Sequence, residues 1–365
     1  MKTLKLRIKD KHAKQLTTLS SSVNFAWNYV NELSYKHLQR TGLFFSAYDL
    51  AAYTKGAGSE LGLHSQTIQA ITETHAKSRK QFKKAKLNWR TNNPNAKHKS
   101  LGWIPFKNSA IKHIATKQTG KKGLKATLQF SLAKGQKLII DLWDSYNLAL
   151  YTINTCELVQ DSRGRWYACI TVKEFPKVKC GSGKVGIDLG CKDAATTSDG
   201  NLLATKVTHK YADKLAIAQR SKNKKRAKAI HAKIKNTRQD LIHKFTTRLI
   251  RDNALIVVGK LSSKTFISTK LAKSVYDAAW FEMKRQLDYK CKHAGCHYTE
   301  VNESYTTQTC SCCGSRHDSP KGRSGLGIRG WTCGSCNTTH DRDINAAKNI
   351  LALGLERLAV GIPSV

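Results

Sequence analysis

Acidic side chains are scarce in this chain: 25 Asp and Glu stand against 63 Lys and Arg, a formal charge of +38. An excess of that size repels itself, and a protein carries it when its working partner is a polyanion. Basic segments run along the whole length, which fits a channel for a long nucleic acid better than local coating of an RNA. Long apolar runs are missing too. No segment approaches the ~18 residues needed to span a bilayer, and the opening MKTLKLRIKDKH lacks a signal-peptide core. A membrane partner is therefore not expected, and a prokaryotic cytoplasm is. Prolines number 5 and glycines 24, too few for long disordered linkers. Two or three cores fit in 365 residues at ~100–200 residues per domain.

Cysteine is present, but not as a disulfide framework. The count of eleven is odd, and four have knuckle spacing: Cys310-x-x-Cys313 and Cys333-x-x-Cys336, with nineteen residues between the pairs. Thiolates at i and i+3 converge on one point, and two such pairs complete a tetrahedral structural Zn2+ site. Cys312 lies inside the first knuckle at the wrong spacing. It and the other six (Cys156, Cys169, Cys180, Cys191, Cys291 and Cys296) read as buried, reduced thiols of a reducing compartment.

Periodicity divides the chain. Leu4, Leu6 and Ile8 alternate as a strand, and Leu16 through Leu33 follow helical spacing toward Gly42. Asp49 to Lys55 reads as a short helix stopped by Gly56 and Gly58. Ser65 is expected to cap a helix reaching about Trp89. Its end is basic (Lys77, Arg79, Lys80, Lys83, Lys84) with Phe82 and Trp89 interleaved, the pattern of a phosphate-facing surface. From Leu101 to Val172 the texture turns β, with strands at Leu124–Leu132, Gln136–Leu142, Tyr151–Val159 and Trp166–Val172. With the first strand this predicts a small antiparallel barrel interrupted by a helical lobe. Phe175 to Gly183 is the expected domain boundary. Beyond it the order β-β-β-α-β-α-β and a final helix predicts an α/β ribonuclease-H-like core.

Two acids stand out in that second half. Asp188 ends the strand Lys184–Gly190 beside Gly186 and Gly190, which permit close approach of backbone and phosphate. Asp343 opens a helix whose Asn345-Ala346-Ala347 offers a small packing face. Cutting a phosphodiester with two Mg2+ ions needs several acids converging where the metals sit ~4 Å apart. Either acid alone is ordinary, as a turn residue or a helix N-terminal carboxylate; the pair on this strand order points to a nuclease site.

Gly186-Ile187-Asp188-Leu189-Gly190, Tyr305-Thr306-Thr307-Gln308-Thr309-Cys310-Ser311-Cys312-Cys313-Gly314 and His340-Asp341-Arg342-Asp343-x-Asn345-Ala346-Ala347-x-Asn349-Ile350-Leu351 resemble the TnpB family. These are transposon-encoded RNA-guided nucleases related to type V CRISPR effectors. The match extends to Asn236–Lys244 and Trp280–Lys290, densely in the C-terminal half and by layout alone in the N-terminal half. It implies a wedge-like β-barrel domain (1–10 and 100–178), a helical recognition lobe (11–99), a RuvC-like nuclease domain (179–304 and 341–365) and an inserted zinc ribbon (305–340). It also implies a guide RNA from the transposon end and a double-stranded DNA target beside a short target-adjacent motif. By the same resemblance the helix beginning Ser65-Gln66-Thr67-Ile68-Gln69 occupies the place where the family contacts that motif, and Gln69 suits a bidentate contact to an adenine; a buried helix with a polar edge is the equal alternative.

The family's RuvC triad is Asp, Glu, Asp. Its Glu position, after Ile256-Val257-Val258, is Gly259 here. Glu303, after the neighbouring strand, is the preferred replacement, because strands ~4.8 Å apart let a Glu reach across the space a glycine leaves. Glu282 is second and Glu300 third. The expectation is a Mg2+-dependent RNA-guided DNA endonuclease acting through Asp188, Glu303 and Asp343, by two-metal-ion phosphodiester hydrolysis. The alternative is a nuclease-dead RNA-guided DNA-binding protein, a repressor or transposition regulator, kept open by Gly259. A zinc-ribbon RNA-binding protein without target DNA ranks third.

Overall fold

Alternation along strand β1 (Lys2–Ile8) sends Leu4, Leu6 and Ile8 into a core in the computed structural model, while Lys5 stays exposed. The structure describes residues 2–93, 95–96, 98–119, 123–173, 178–261, 278–317, 319–321 and 324–360. The chain divides into two units, Met1–Pro176 and Lys177–Val365; residues 175–177 of the expected boundary lie outside the described residues.

In the first unit, α1 (Ala13–Thr41) follows β1 and ends at Gly42, whose left-handed φ of 70° suits a helix cap. Then come α2 (Ala47–Tyr53), α3 (Ala57–Leu61) and α4 (Ser65–Phe82). Gly58 lies inside α3 rather than stopping a helix. The cap of α4 is His64, whose ring accepts from the Gln66 amide, not Ser65. The helix also ends seven residues before Trp89, at a left-handed Lys83. The cause is tertiary. Asn31 donates to the Leu87 carbonyl and accepts from its amide (2.7 and 3.0 Å), and Asn28 does the same with Arg90 (both 2.8 Å). The α1 asparagines thus claim the backbone groups that a longer α4 would need.

Six further strands complete a seven-stranded antiparallel sheet. They are β2 (Trp103–Lys107), β3 (Ile111–Thr119), β4 (Gly123–Ser131), β5 (Lys137–Asp144), β6 (Ile153–Gln160) and β7 (Trp166–Val172), in the order β2-β6-β7-β1-β5-β4-β3. Sequence periodicity did not single out β2 or β3. The sheet curls: Phe106 on edge strand β2 meets Phe130 on β4, near the other edge, with ring centroids 4.5 Å apart. Trp166 is 2% exposed and covers Gly102, where any side chain would overlap its ring.

The second unit is an α/β layer. Strands β8 (Gly183–Asp188), β9 (Ala195–Thr197), β10 (Leu202–Leu203), β11 (Asn253–Gly259) and β12 (His297–Val301) pair in the order β10-β9-β8-β11-β12. β8, β11 and β12 run parallel, and β9 is antiparallel to β8. The basic stretch after β10 is a helical hairpin, α5 (Val207–Arg220) and α6 (Lys224–Asp252). Helix α7 is described over Trp280–Ala294. A short hairpin, β13 (Gly330–Thr332) and β14 (Thr339–Asp341), leads into α8 (Arg342–Ala359). Helix α8 lies directly on the parallel strands. A Cβ on Gly186 would overlap the Ala347 carbonyl, and one on Gly354 would overlap the Val257 side chain. Among the described residues no helix is long and apolar enough to cross a membrane.

Asn31→Ala leaves a buried backbone amide and carbonyl unpaired. It is expected to cost about 1–3 kcal/mol, measured as a lower urea midpoint with faster amide exchange at Leu87 and Arg90; unchanged exchange there would mean that other contacts hold the segment.

Candidate functional site

The parallel pairing of β8, β11 and β12 brings their carboxyl ends to one edge. Ile187 pairs with Val258, and Gly259 with Val301, so Asp188 ends level with Gly259. Glu303 follows two residues after β12 and folds back over that glycine. A Cβ at 259 would overlap Glu303 Oε2 and stand 3.1 Å from Ile350 Cδ1. The carboxylate of Glu303 therefore fills the space that any side chain at 259 would need.

Asp343 arrives from the first turn of α8. Asp341 caps that helix, accepting from the Asp343 and Ile344 amides, both at 3.0 Å. Two asparagines tie α8 to the first cysteine knuckle. Asn345 accepts from the Ser311 amide (2.8 Å) and donates to the Thr309 carbonyl (2.7 Å), while Asn349 donates to Thr306 and Thr309 (2.8 and 2.6 Å).

Electrostatics link the three acids. Burial, then the nearby Asp343 and Glu303 carboxylates, push Asp188 well above the usual carboxylate range. Burial likewise raises Glu303, partly offset by Lys284, and raises Asp343, partly offset by Arg329. Glu303 Oε2 is buried with no hydrogen-bond partner. Asp343 is differently placed: Arg329 Nη1 donates to both its oxygens, at 2.9 and 2.6 Å. The acids do not form a cluster as tight as the cysteine quartet, which is the one group within 4.8 Å among the described residues.

The other acids weighed for this place are committed elsewhere. Glu282 is held by Arg285 (2.8 and 2.9 Å) and Gln286 (2.9 Å); these bonds outweigh its burial and lower its pKa. Glu300 pairs with Lys284 at 2.7 Å and accepts from the Tyr298 hydroxyl at 2.8 Å.

Cys310, Cys313, Cys333 and Cys336 converge, with Cys310–Cys336 and Cys313–Cys333 sulfurs both 3.7 Å apart. A tetrahedron with metal–sulfur bonds of ~2.3 Å has edges of ~3.8 Å, so the quartet fits a metal such as zinc. His340 Nε2 lies 3.0 Å from Cys310 Sγ, and its ring packs on Trp331. Cys312 is exposed outside the quartet, and Cys169, Cys180 and Cys191 are only partly buried, unlike the uniformly buried thiols expected.

In the first unit Gln69, Lys77, Lys80, Lys83 and Lys84 are exposed. Gln69 lines a cavity of about 420 Å³ together with Lys55, His64 and Lys134. Arg79 departs from the basic face: it is 8% exposed, its guanidinium 3.6 Å from the Phe44 ring centroid and donating to the Phe45 carbonyl. Helical spacing turns it inward with His75, so it offers no surface charge. Sequence reasoning missed Arg329, Lys284 and His340. For His340 the signal was its position three residues before Asp343.

An acid whose folded-state pKa is raised binds its proton more tightly when folded, so stability falls as pH climbs above the unfolded value of ~3.9. Metal-free Asp188→Asn is therefore expected to melt above the wild type at neutral pH, the gap closing toward pH ~4. Equal calorimetric midpoints at neutral pH would contradict the crowding of these carboxylates.

Comparison with known proteins bears on two segments of the chain, the earlier of which begins in β7 of the first unit. Residues 280–350 match the family model described as "Cas12f1-like, TNB domain", and residues 167–267 match one described as "Probable transposase". A Streptomyces pristinaespiralis protein named "Putative RNA-guided DNA endonuclease" is 34% identical over 57% of this chain and 54% of its own length. The Escherichia coli K12 protein of the same name, InsQ, is 32% identical over 56% and 57%. A TnpB-like protein of Acanthamoeba polyphaga mimivirus is 29% identical over 55% and 44%. The chain spans about half the length of these relatives. Among solved structures, a Cas12f1 chain in a complex with sgRNA and target DNA shares the fold, with a TM-score of 0.60 at 15% identity over 94% of this chain and 83% of that one. Over these two segments and about half its length, the chain is thus similar to TnpB-like proteins and to proteins named as putative RNA-guided DNA endonucleases.

Proposed function

We propose that the protein is a transposon-encoded, RNA-guided DNA endonuclease whose second unit is a RuvC-like nuclease domain with an inserted zinc ribbon, and whose first unit is a wedge-like β domain with a helical recognition lobe. Its partners are a guide RNA from the transposon end and double-stranded DNA beside a short target-adjacent motif. One observation carries the nuclease reading: the Glu303 carboxylate stands over Gly259, level with Asp188. Loss of an acid at one strand end is thus matched by an acid from the neighbouring strand end. The relatives named as RNA-guided DNA endonucleases and the charge of +38 support the same reading.

The donor set fits Mg2+. Glu303 Oε2 is a buried, unpaired carboxylate oxygen, and both Asp188 and Glu303 resist ionisation without a compensating cation. Hard oxygen donors of this kind suit Mg2+. Asp188, Glu303 and Asp343 would hold the metal, which when bound supplies an activated water and neutralises charge developing on the phosphate. Lys284 lowers the cost of ionising Glu303, and Arg329 holds the Asp343 carboxylate in place. Cys310, Cys313, Cys333 and Cys336 would hold a structural zinc, which would brace the fold without taking part in the chemistry.

A second reading rests on Arg329. Its hold on both oxygens of Asp343 suits a nuclease-dead DNA-binding protein, in which a structural ion pair has taken over the third acid.

Purified ribonucleoprotein with Mg2+ is expected to cut duplex DNA carrying the motif. Intact DNA with guide-dependent binding would assign the protein to the second reading. Glu303→Ala should abolish cutting by ~100-fold or more with binding retained. Gly259→Ala should also cut poorly, because its methyl group displaces Glu303. The double variant Gly259→Glu, Glu303→Ala should recover activity, and a double variant no better than Glu303→Ala would count against the exchange. Metal analysis should find zinc bound by the wild type and lost in Cys333→Ser.

A further inference from the structure

The outward face of the seven-stranded sheet carries an ordered row of cations and aromatic rings. Arg7 on β1 pairs with Tyr167 on one side and Trp143 on the other. Trp143 pairs with Lys125, and Lys125 with Lys117. Directly paired residues of antiparallel strands share a face, so these five side chains cross β7, β1, β5, β4 and β3 in one line. Their sequence neighbours Leu6, Leu142, Ala126 and Ala168 are buried beneath. Trp143 is 49% exposed.

The rings are attended by cations. Lys9 and Lys125 stand 5.6 and 5.3 Å from the Trp143 ring centroid; Lys5 and Arg7 stand 4.5 and 5.4 Å from that of Tyr167. Of the nearby acids, Asp141 pairs with Lys11 at 2.7 Å, while Arg7 of the row is bound to Asp10 at 2.5 Å and donates to the Trp166 carbonyl at 3.1 Å, which leaves Lys9 and Lys125 as the cations beside Trp143. Lys9 and Lys125 are close enough to repel each other, and the crowding of Lys9, then that repulsion, lowers its pKa, with Asp141 opposing. Two ammonium groups converging over one indole make a place for an anion next to a stacking surface.

We propose that this face is a platform for an unpaired stretch of RNA, with a base stacked on Trp143 and the adjoining phosphates taken by Lys9 and Lys125. A stacking surface needs a base that has left its pair, and RNA presents such bases in loops and bulges, whereas duplex DNA keeps them stacked inside. The platform lies in the first unit and does not involve the acid site, so a protein unable to cut would still bind RNA through it.

The test is photo-crosslinking of the full-length protein to a single-stranded RNA of about 12 nucleotides substituted with 4-thiouridine, with adducts mapped by mass spectrometry. Adducts are expected on the β5 segment carrying Trp143 and lost in Trp143→Ala. In fluorescence anisotropy with the same RNA, Trp143→Ala should weaken binding about tenfold, Trp143→Phe far less, and Lys125→Gln should lower the salt slope by about one. Circular dichroism of each variant checks that the fold is kept. Adducts only elsewhere, or unchanged affinity and salt slope in Trp143→Ala and Lys125→Gln, would overturn the platform. Equal loss for fully paired RNA would reduce it to a phosphate-binding face. Tighter, Trp143-dependent binding of the matching single-stranded DNA would reassign it from RNA to DNA.

Discussion

The second unit depends on how closely α8 lies on the parallel sheet. At Gly186 the helix backbone comes within reach of the strand, and Gly354 takes up the Val257 side chain one end further along. Ala346 and Ala347 are fully buried in that contact. Larger residues at these positions would lift α8 away from β8 and carry Asp343 from the edge where Asp188 and Glu303 stand. Glycines such as Gly186 and Gly354 are usually a weakness in a strand or helix, because they lose the most backbone freedom on folding. In this unit they set the separation between the helix that brings one acid and the strands that bring the other two.

The cysteine quartet acts on the same contact from the other side. The β13–β14 hairpin carries Cys333 just past one strand and His340 within the other, and β14 runs straight into α8. His340 touches Cys310, and Asn345 and Asn349 hold the backbone before the first knuckle. Arg329 precedes the hairpin and grips Asp343. A metal among the thiols would thus restrain the first turn of α8 without approaching the acids.

In a chain of +38 the acids at this site still repel one another, because they are close and poorly solvated while most of the positive charge lies at the surface. Screening over a Debye length of ~8 Å keeps distant lysines from compensating. Lys284, Arg329 and Arg342 are the cations that reach in: Lys284 is shared with Glu300, Arg329 is bound to both oxygens of Asp343, and the Arg342 guanidinium also donates to the Gly325 carbonyl. Local charge, not the sum, decides which groups are starved of a partner.

Much of this was legible in the residues alone. The charge excess pointed to nucleic acid, the Cys-x-x-Cys spacing to a metal site, and the alternation of Leu4, Leu6 and Ile8 or the run of Ile256 to Val258 to strands, because each signal is local and repeats at a fixed period. Glu303 could be named as a partner for Gly259 because parallel neighbours end at one level. That it, rather than Glu282, stands over the glycine was decided by the pairing of β11 with β12 and by Arg285 and Gln286 binding Glu282. The early end of α4 was set by asparagines 56 and 62 residues away in sequence, and Arg79 was turned inward by helix phase against Phe44. The row from Tyr167 to Lys117 exists only through strand register. The sequence determined what is periodic or adjacent; contacts between residues far apart in the chain, which no local spacing encodes, were decided by the tertiary structure.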